Sequence, residues 1–406
     1  MTAPIEVTHD RTTNARARFP WIPVLILGFA WFLGVAIELG PAGLLNQIAL
    51  DLGVSIAAAG TLTTFYALGN AILVVPLTAL ALRFARRPVL MIVMGALALS
   101  TVLVALAPSL LLADAGRFVG GGAYAVMCTL FPAVAIRIVG PGNAGKVLTV
   151  LFTATSLGTA FGAPIASLIG SATGWRVTFL GAAALVAVAG ALMFSILPST
   201  REHHEKDLGL LATARIPGVF RVSLGWALVM MAHFVIVTYI DAYIADRELP
   251  HFVTSLALAL IGVGGIVGTL TVGLLSRRSF YAAIVTTPVV VAAGFIVFAA
   301  GGSNVVVILA GIALSGTGLS GMIIVFQQAV LLTGARAPET ATSISVLLIQ
   351  FGFAAGATIG GLTIETIGFA ALPFVALVFA LGAIGIAVSL RRVLHTAQAN
   401  AAAAPR

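Results

Sequence analysis

The amino-acid sequence predicts an all-α integral membrane protein, with twelve transmembrane helices in two pseudo-symmetric six-helix bundles. Three observations predict it. Hydrophobic residues make up 60% of the 406 and charged residues only 8%, where soluble chains carry about 25% charge. The apolar residues fall into twelve runs, each near the ~20 residues a helix needs to cross a bilayer. The basic residues between the runs gather almost entirely on one side.

The runs can be read in order. In the first half they are Trp21–Leu44, Ala58–Leu82, Val89–Ala107, Leu110–Val134, Val147–Ile169 and Val177–Leu197. Those of the second half are Val222–Ile244, Phe252–Leu275, Tyr281–Ala300, Val305–Leu332, Ala341–Ile364 and Phe369–Leu390. The first run is too long for a signal-peptide core and is read as a membrane helix. With the N-terminus inside, the inner segments hold Arg11, Arg16, Arg18, Arg83, Arg86, Arg87, Arg137 and Lys146 in the first half. In the second they hold Arg277, Arg278, Arg336, Arg391 and Arg392, while the outer loops hold only Arg176 and Arg247. Both tails are basic, which requires an even number of crossings.

The expected organisation is a cytoplasmic tail at 1–20, a six-helix bundle at 21–197 and a cytoplasmic linker at 198–221. A second bundle at 222–390 and a cytoplasmic tail at 391–406 complete it. The third, sixth, ninth and twelfth runs carry no charge, so they are expected to face lipid. The others are left to line a central cavity. The single Cys128 excludes an internal disulfide framework. The histidines lack metal-ligand spacing, so no metal or cofactor is expected. The net charge of +8 belongs to the inner loops and does not imply nucleic acid.

Charge inside a span is costly and marks candidate function. Glu38 lies in the far half of the first run, with no basic residue near it in sequence. Asp114 and Arg117 are three apart and so neighbours on one helix face. Arg117 could pair with Asp114 or with Glu38. Glu38, Asp114 and Arg117 are the expected proton-coupling groups. Tyr66 and Asn70 share a face of the second run, and Tyr124 continues the face of Arg117 and Gly121. His233 and Asp241 lie two turns apart in the seventh run, and Gln350 lies in the eleventh. Tyr66, Asn70, Tyr124, His233, Asp241 and Gln350 are the candidate lining of a substrate cavity. Gly158, Gly162 and Pro164 in the fifth run permit close helix approach and bending.

Several segments together resemble the major facilitator superfamily, and most of all its bacterial drug/proton antiporter branch with the sugar- and nucleoside-efflux relatives. Arg83-Phe-Ala-Arg86-Arg87 resembles the family's inner-loop signature, with Leu82 where an Asp is usual. Arg117 with Gly121 resembles its fourth-helix motif, and Gly158-Thr-Ala-Phe-Gly162-Ala-Pro164 its antiporter motif. Gly174-Trp175-Arg176 is similar to an outer-loop pattern of the branch, and Glu38 matches its acidic position in helix one.

The resemblance covers nearly the whole chain. It implies a monomeric secondary transporter in the bacterial inner membrane that exports a small organic molecule against protons by alternating access. Arg83, Arg86, Arg87, Gly158, Gly162 and Pro164 would serve conformational change. An importer or facilitator on the same fold is the alternative, and a polytopic membrane enzyme a remote one.

Overall fold

The computed structural model describes residues 19–81, 83–140, 143–196, 210–216 and 218–403. Twelve helices among them are long and apolar enough to cross a membrane. Lipid offers no partner for backbone N–H and C=O groups, so each apolar run closes its hydrogen bonds within itself as a helix.

The helices of the first half are α1 (Trp21–Leu39), α2 (Ile56–Ala81), α3 (Arg86–Leu106), α4 (Leu110–Val139), α5 (Ala144–Thr173) and α6 (Trp175–Ile196). Those of the second half are α7 (Val219–Val237), α8 (Phe252–Arg278), α9 (Phe280–Ala300), α10 (Val305–Thr333), α11 (Pro338–Thr366) and α12 (Leu372–Ser389). Crossings alternate, so α1 begins and α12 ends on one side, called here the terminal side. Most of the segment 198–221 lies outside the described residues. Its described part contains a short helix, Leu210–Ala214. The stretch expected as a C-terminal tail is helical over Arg391–Ala403.

Two runs break where an unbroken helix was expected. After α1 the chain makes a 3-10 turn, Gly40–Gly43, and a separate short helix, Leu45–Leu52. Pro41 lacks an N–H and cannot continue the α-helical ladder. After α7 a second short helix, Ile240–Asp246, stands apart. The breaks occupy matching places in the two halves, both on the side opposite the chain ends.

Packing repeats between the halves. α1 packs on α5 as α7 does on α11, α2 on α4 as α8 on α10, and α3 on α6 as α9 on α12. The close pairs meet at glycine. Gly121 of α4 presses on the α2 backbone at Tyr66 and Asn70, and Gly316 of α10 on the α8 backbone at Ile261. Gly158 and Gly162 of α5 lie against Val35 and Ala36, as Gly352 and Gly356 of α11 lie against Ala227 and Met231. Such small residues let helix backbones approach where lipid supplies no hydrophobic drive.

The halves meet through α2 with α11 and α5 with α8. Thr64 Oγ1 lies 3.1 Å from Thr358 Oγ1, and Ser255 Oγ donates to Ser167 Oγ at 2.9 Å. Ser55 donates to Glu365 at 3.0 Å. All three contacts lie in the half of the membrane opposite the chain ends. The buried cores agree. One runs from the second half into Leu44, Ile48, Leu62, Ala163 and Phe179 at that side of the first. The other, with Leu27, Met94, Phe131 and Met193, stays within the first half. Among the described residues, these contacts close the two halves together on the opposite side.

A side chain on Gly121 would meet the backbone of α2, which cannot yield. Gly121→Val is expected to cost on the order of 1–3 kcal/mol of stability as overpacking, read as a lower Tm in detergent. Gly95 has open space beyond its Cα, and Gly95→Ala, which adds no clash and favours the helix, should hold or raise Tm.

Candidate functional site

The site begins with the break after α1. Pro41 leaves the carbonyl of Ile37 without its helical donor. Arg117, 2% exposed on α4, fills that place. Its Nη1 donates to Ile37 O at 2.8 Å, its Nη2 to Glu38 O at 2.9 Å and its Nε to Leu62 O at 3.0 Å. The guanidinium also lies 4.0 Å over the Tyr66 ring, a cation–π contact. One side chain therefore joins α1, α2 and α4.

Both expected ion pairs are corrected by this geometry. Arg117 is paired with neither Asp114 nor Glu38. Its planar fork is spent on backbone carbonyls, two of them at the break after α1. Asp114 instead accepts from Thr61 Oγ1 at 2.8 Å through Oδ2, and its Oδ1 is buried with no protein partner.

Glu38 is 8% exposed and reaches the other half of the molecule. Its Oε1 accepts from Nε2 of Gln350, near the middle of α11, at 3.4 Å. Tyr66 and Tyr124 lie beside it, their ring centroids 6.0 Å apart. Gly34 gives the Tyr124 ring its place against α1. The Tyr66 hydroxyl and the Gln350 Oε1 are buried without a hydrogen-bond partner. Asn70, also buried, lies one turn beyond Tyr66 against Gly121. The fold thus brings together Glu38, Arg117, Tyr66, Tyr124 and Gln350 from four helices, two of them remote in sequence.

His233 and Asp241 part company, because the chain breaks between them. His233 is buried on α7, its ring edge-on to Phe234, which stacks on Phe353 of α11 at 4.0 Å. Asp241, 1% exposed, sits on the short helix Ile240–Asp246 in the closed side of the molecule. Its Oδ2 accepts from the backbone N of Asn46 in the first half at 3.1 Å, and its Oδ1 from Thr254 Oγ1 at 3.1 Å. His251 Nδ1 stands 3.3 Å from Oδ1. His251 also bonds the Ser167 backbone in the first half. Asp241 is therefore a clasp between the halves. Asn46, Thr254 and His251 were not legible as its partners. Only the small spacing from His251 to Thr254 hinted at a shared helix start.

The motif residues sit at packing points. Arg86 is buried, Arg83 is exposed, and Arg87 lies 4.1 Å over the Phe194 ring of α6 while donating to the Phe194 carbonyl. Trp175 and Arg176 both bond Asp51 on the short helix after α1, Arg176 as an ion pair at 2.8 Å. Pro164 lies inside α5, one turn from the Ser167 contact.

The profile of the Major Facilitator Superfamily matches residues 24–346. The chain belongs to the major facilitator superfamily. It is a multi-pass membrane transporter of a small molecule and not an enzyme. The chloramphenicol efflux pump Rv0191 of Mycobacterium tuberculosis strain H37Rv is 30% identical over 379 residues, 88% of this chain and 91% of that protein. The inner membrane transport protein YdhP of Escherichia coli O157:H7 is 28% identical over 382 residues, 92% of this chain and 97% of that one. Two solved structures share the fold. The human organic anion transporter MFSD10 superposes with a TM-score of 0.65 at 18% identity, covering 90% of this chain and 98% of its own. A bacterial homologue of the human lysosomal transporter Spinster, in an inward-facing and unoccupied conformation, gives 0.69 at 13% identity, covering 94% and 96%.

The clasp is expected to respond to pH. The hydrogen bond to Asp241 raises the pKa of His251 above its usual 6.5 when the halves are closed. Protonation thus favours closure. That stabilisation is fully present below the ordinary value and is lost as pH rises through the raised one. Spin labels at Leu50→Cys and Val306→Cys, in a Cys128→Ser background, should show a growing long-distance population as pH on that side rises. His251→Ala should weaken that dependence on the pH of this side, leaving any contribution of Glu38.

Proposed function

We propose that this transporter is a proton-coupled exporter of a small organic molecule, with its terminal side in the cytoplasm of a bacterial cell and its working unit a monomer. The observation that carries the reading is Glu38. It is a buried carboxyl with no basic ion-pair partner, and it touches the second half of the protein through Gln350.

A proton on Glu38 removes charge from the contact between the halves, and its loss restores that charge. The carboxyl can therefore favour different states of the two halves according to whether it is protonated. Arg117, held by three carbonyls, keeps a fixed positive charge beside it. The unpartnered Tyr66 hydroxyl and Gln350 Oε1 supply polar contacts to a substrate, since leaving such groups unmet when buried costs about 1–3 kcal/mol. Proton and substrate compete for this cluster, and each favours the state that releases the other.

The orientation is supported by the arginines of the terminal-side loops. On this orientation the closed side faces outward. The export direction is supported by the chloramphenicol efflux relative, which also makes chloramphenicol the first compound to try.

Everted membrane vesicles with an imposed acidic interior test the reading. Adding chloramphenicol or a related panel should release protons in the wild type, followed by fluorescence. Glu38→Gln should lower that release at least about tenfold, as loss of a required protonation group does. Arg117→Lys cannot reach three acceptors with a single ammonium and should lose most activity. Unchanged proton release in Glu38→Gln would sink the role of Glu38. Substrate uptake without any proton movement would favour facilitated transport on the same fold.

A further inference from the structure

Away from the central cluster, α1 and α5 enclose a groove of about 650 Å³ at the terminal-side end of the first half. It lies on the back of α1. Phe29, on its wall, precedes Glu38 by nine residues, about two and a half turns, and so points the opposite way. Leu25, Phe29 and Leu157 are exposed along it, where the protein meets lipid. Gly28 makes the floor, since a Cβ there would stand 3.0 Å from Val150.

The groove is graded in polarity. Its terminal-side end holds Lys146, whose ammonium lies 5.2 Å over the Phe19 ring. Trp21, half exposed, lines the same end, as tryptophans do at the headgroup level. Thr149 and Thr153 follow at the next turns of α5, and beyond them the walls are apolar. A cation at the membrane surface, then hydroxyls, then hydrocarbon is the complement of an anionic glycerolipid.

We propose that this groove is a binding site for one anionic phospholipid of the leaflet on the terminal side. Its phosphate sits on Lys146, its ester region lies at Thr149 and Thr153, and one acyl chain lies between Phe29 and Leu157. Basic sites between helices at this depth recognise lipid headgroups. The proposal goes beyond the transport reading and does not depend on Glu38 or on the direction of flux.

Native mass spectrometry of the purified full chain tests it, with dioleoyl phosphatidylglycerol and dioleoyl phosphatidylcholine as probes. Wild type should retain the anionic lipid at about fivefold lower concentration than the zwitterionic one, the discrimination expected of one cation at the surface. Lys146→Gln should abolish that preference. Arg392→Gln, removing a charge elsewhere on the terminal side, should keep it. Thr153→Phe should fill the groove and weaken retention of both lipids. Equal retention of the two lipids by wild type overturns the proposal without any variant. So does a preference that survives Lys146→Gln in folded protein. Unchanged lipid retention in Thr153→Phe with lost chloramphenicol efflux would assign the groove to substrate entry and overturn it as well.

Discussion

The structure depends on how Arg117 is satisfied. A guanidinium in the membrane needs acceptors, and the broken end of α1 needs donors. Each supplies what the other lacks, with Ile37 O and Glu38 O taking two of the three bonds. Pro41 creates one of those open carbonyls by withholding its own N–H. Irregular backbone is tolerated at membrane depth only when protein meets its polar groups. The clamp is therefore what permits α1 to stop at Leu39 and turn into the short helix that carries Asn46 and Asp51.

That turn in the chain links the central cluster to the closed side. The carbonyl of Glu38 is held by Arg117, while its carboxyl reaches Gln350 in the other half. Eight residues on, the backbone of Asn46 is held by Asp241 of the other half. The two cross-half contacts of this strip are thus tied to one short piece of backbone. A change at the carboxyl and a change at the clasp act on the same break. Tyr239 adds to the closure from the matching break after α7, its hydroxyl donating to Ala357 O at 2.7 Å beside Gly60 of the first half. The pseudo-symmetry of the fold places a break, a short helix and a cross-half contact in each half.

Much of the fold was legible in the sequence because lipid leaves few choices. An apolar run of sufficient length must be a helix, and all twelve runs are. Gly158 and Gly162 marked close packing correctly in kind. Pro41 carried a sign of the break after α1, but the break after α7 was not legible, since that run stays apolar through it. Hydropathy has no sign for a helix that stops inside a buried region.

For the site, the sequence by itself determined which residue types lie at membrane depth. Glu38, Asp114, Arg117, Tyr66 and Gln350 could be named because charge and polarity are costly there. Only the tertiary structure decided their partners. Arg117 chose carbonyls over carboxylates because a broken helix end offers fixed acceptors without requiring a second buried charge. Asp241 moved from the expected cavity to the clasp because its helix ends before it. The reason is the same in both cases. Composition sets the energy of a group in lipid, while the backbone of distant helices sets where that group is satisfied.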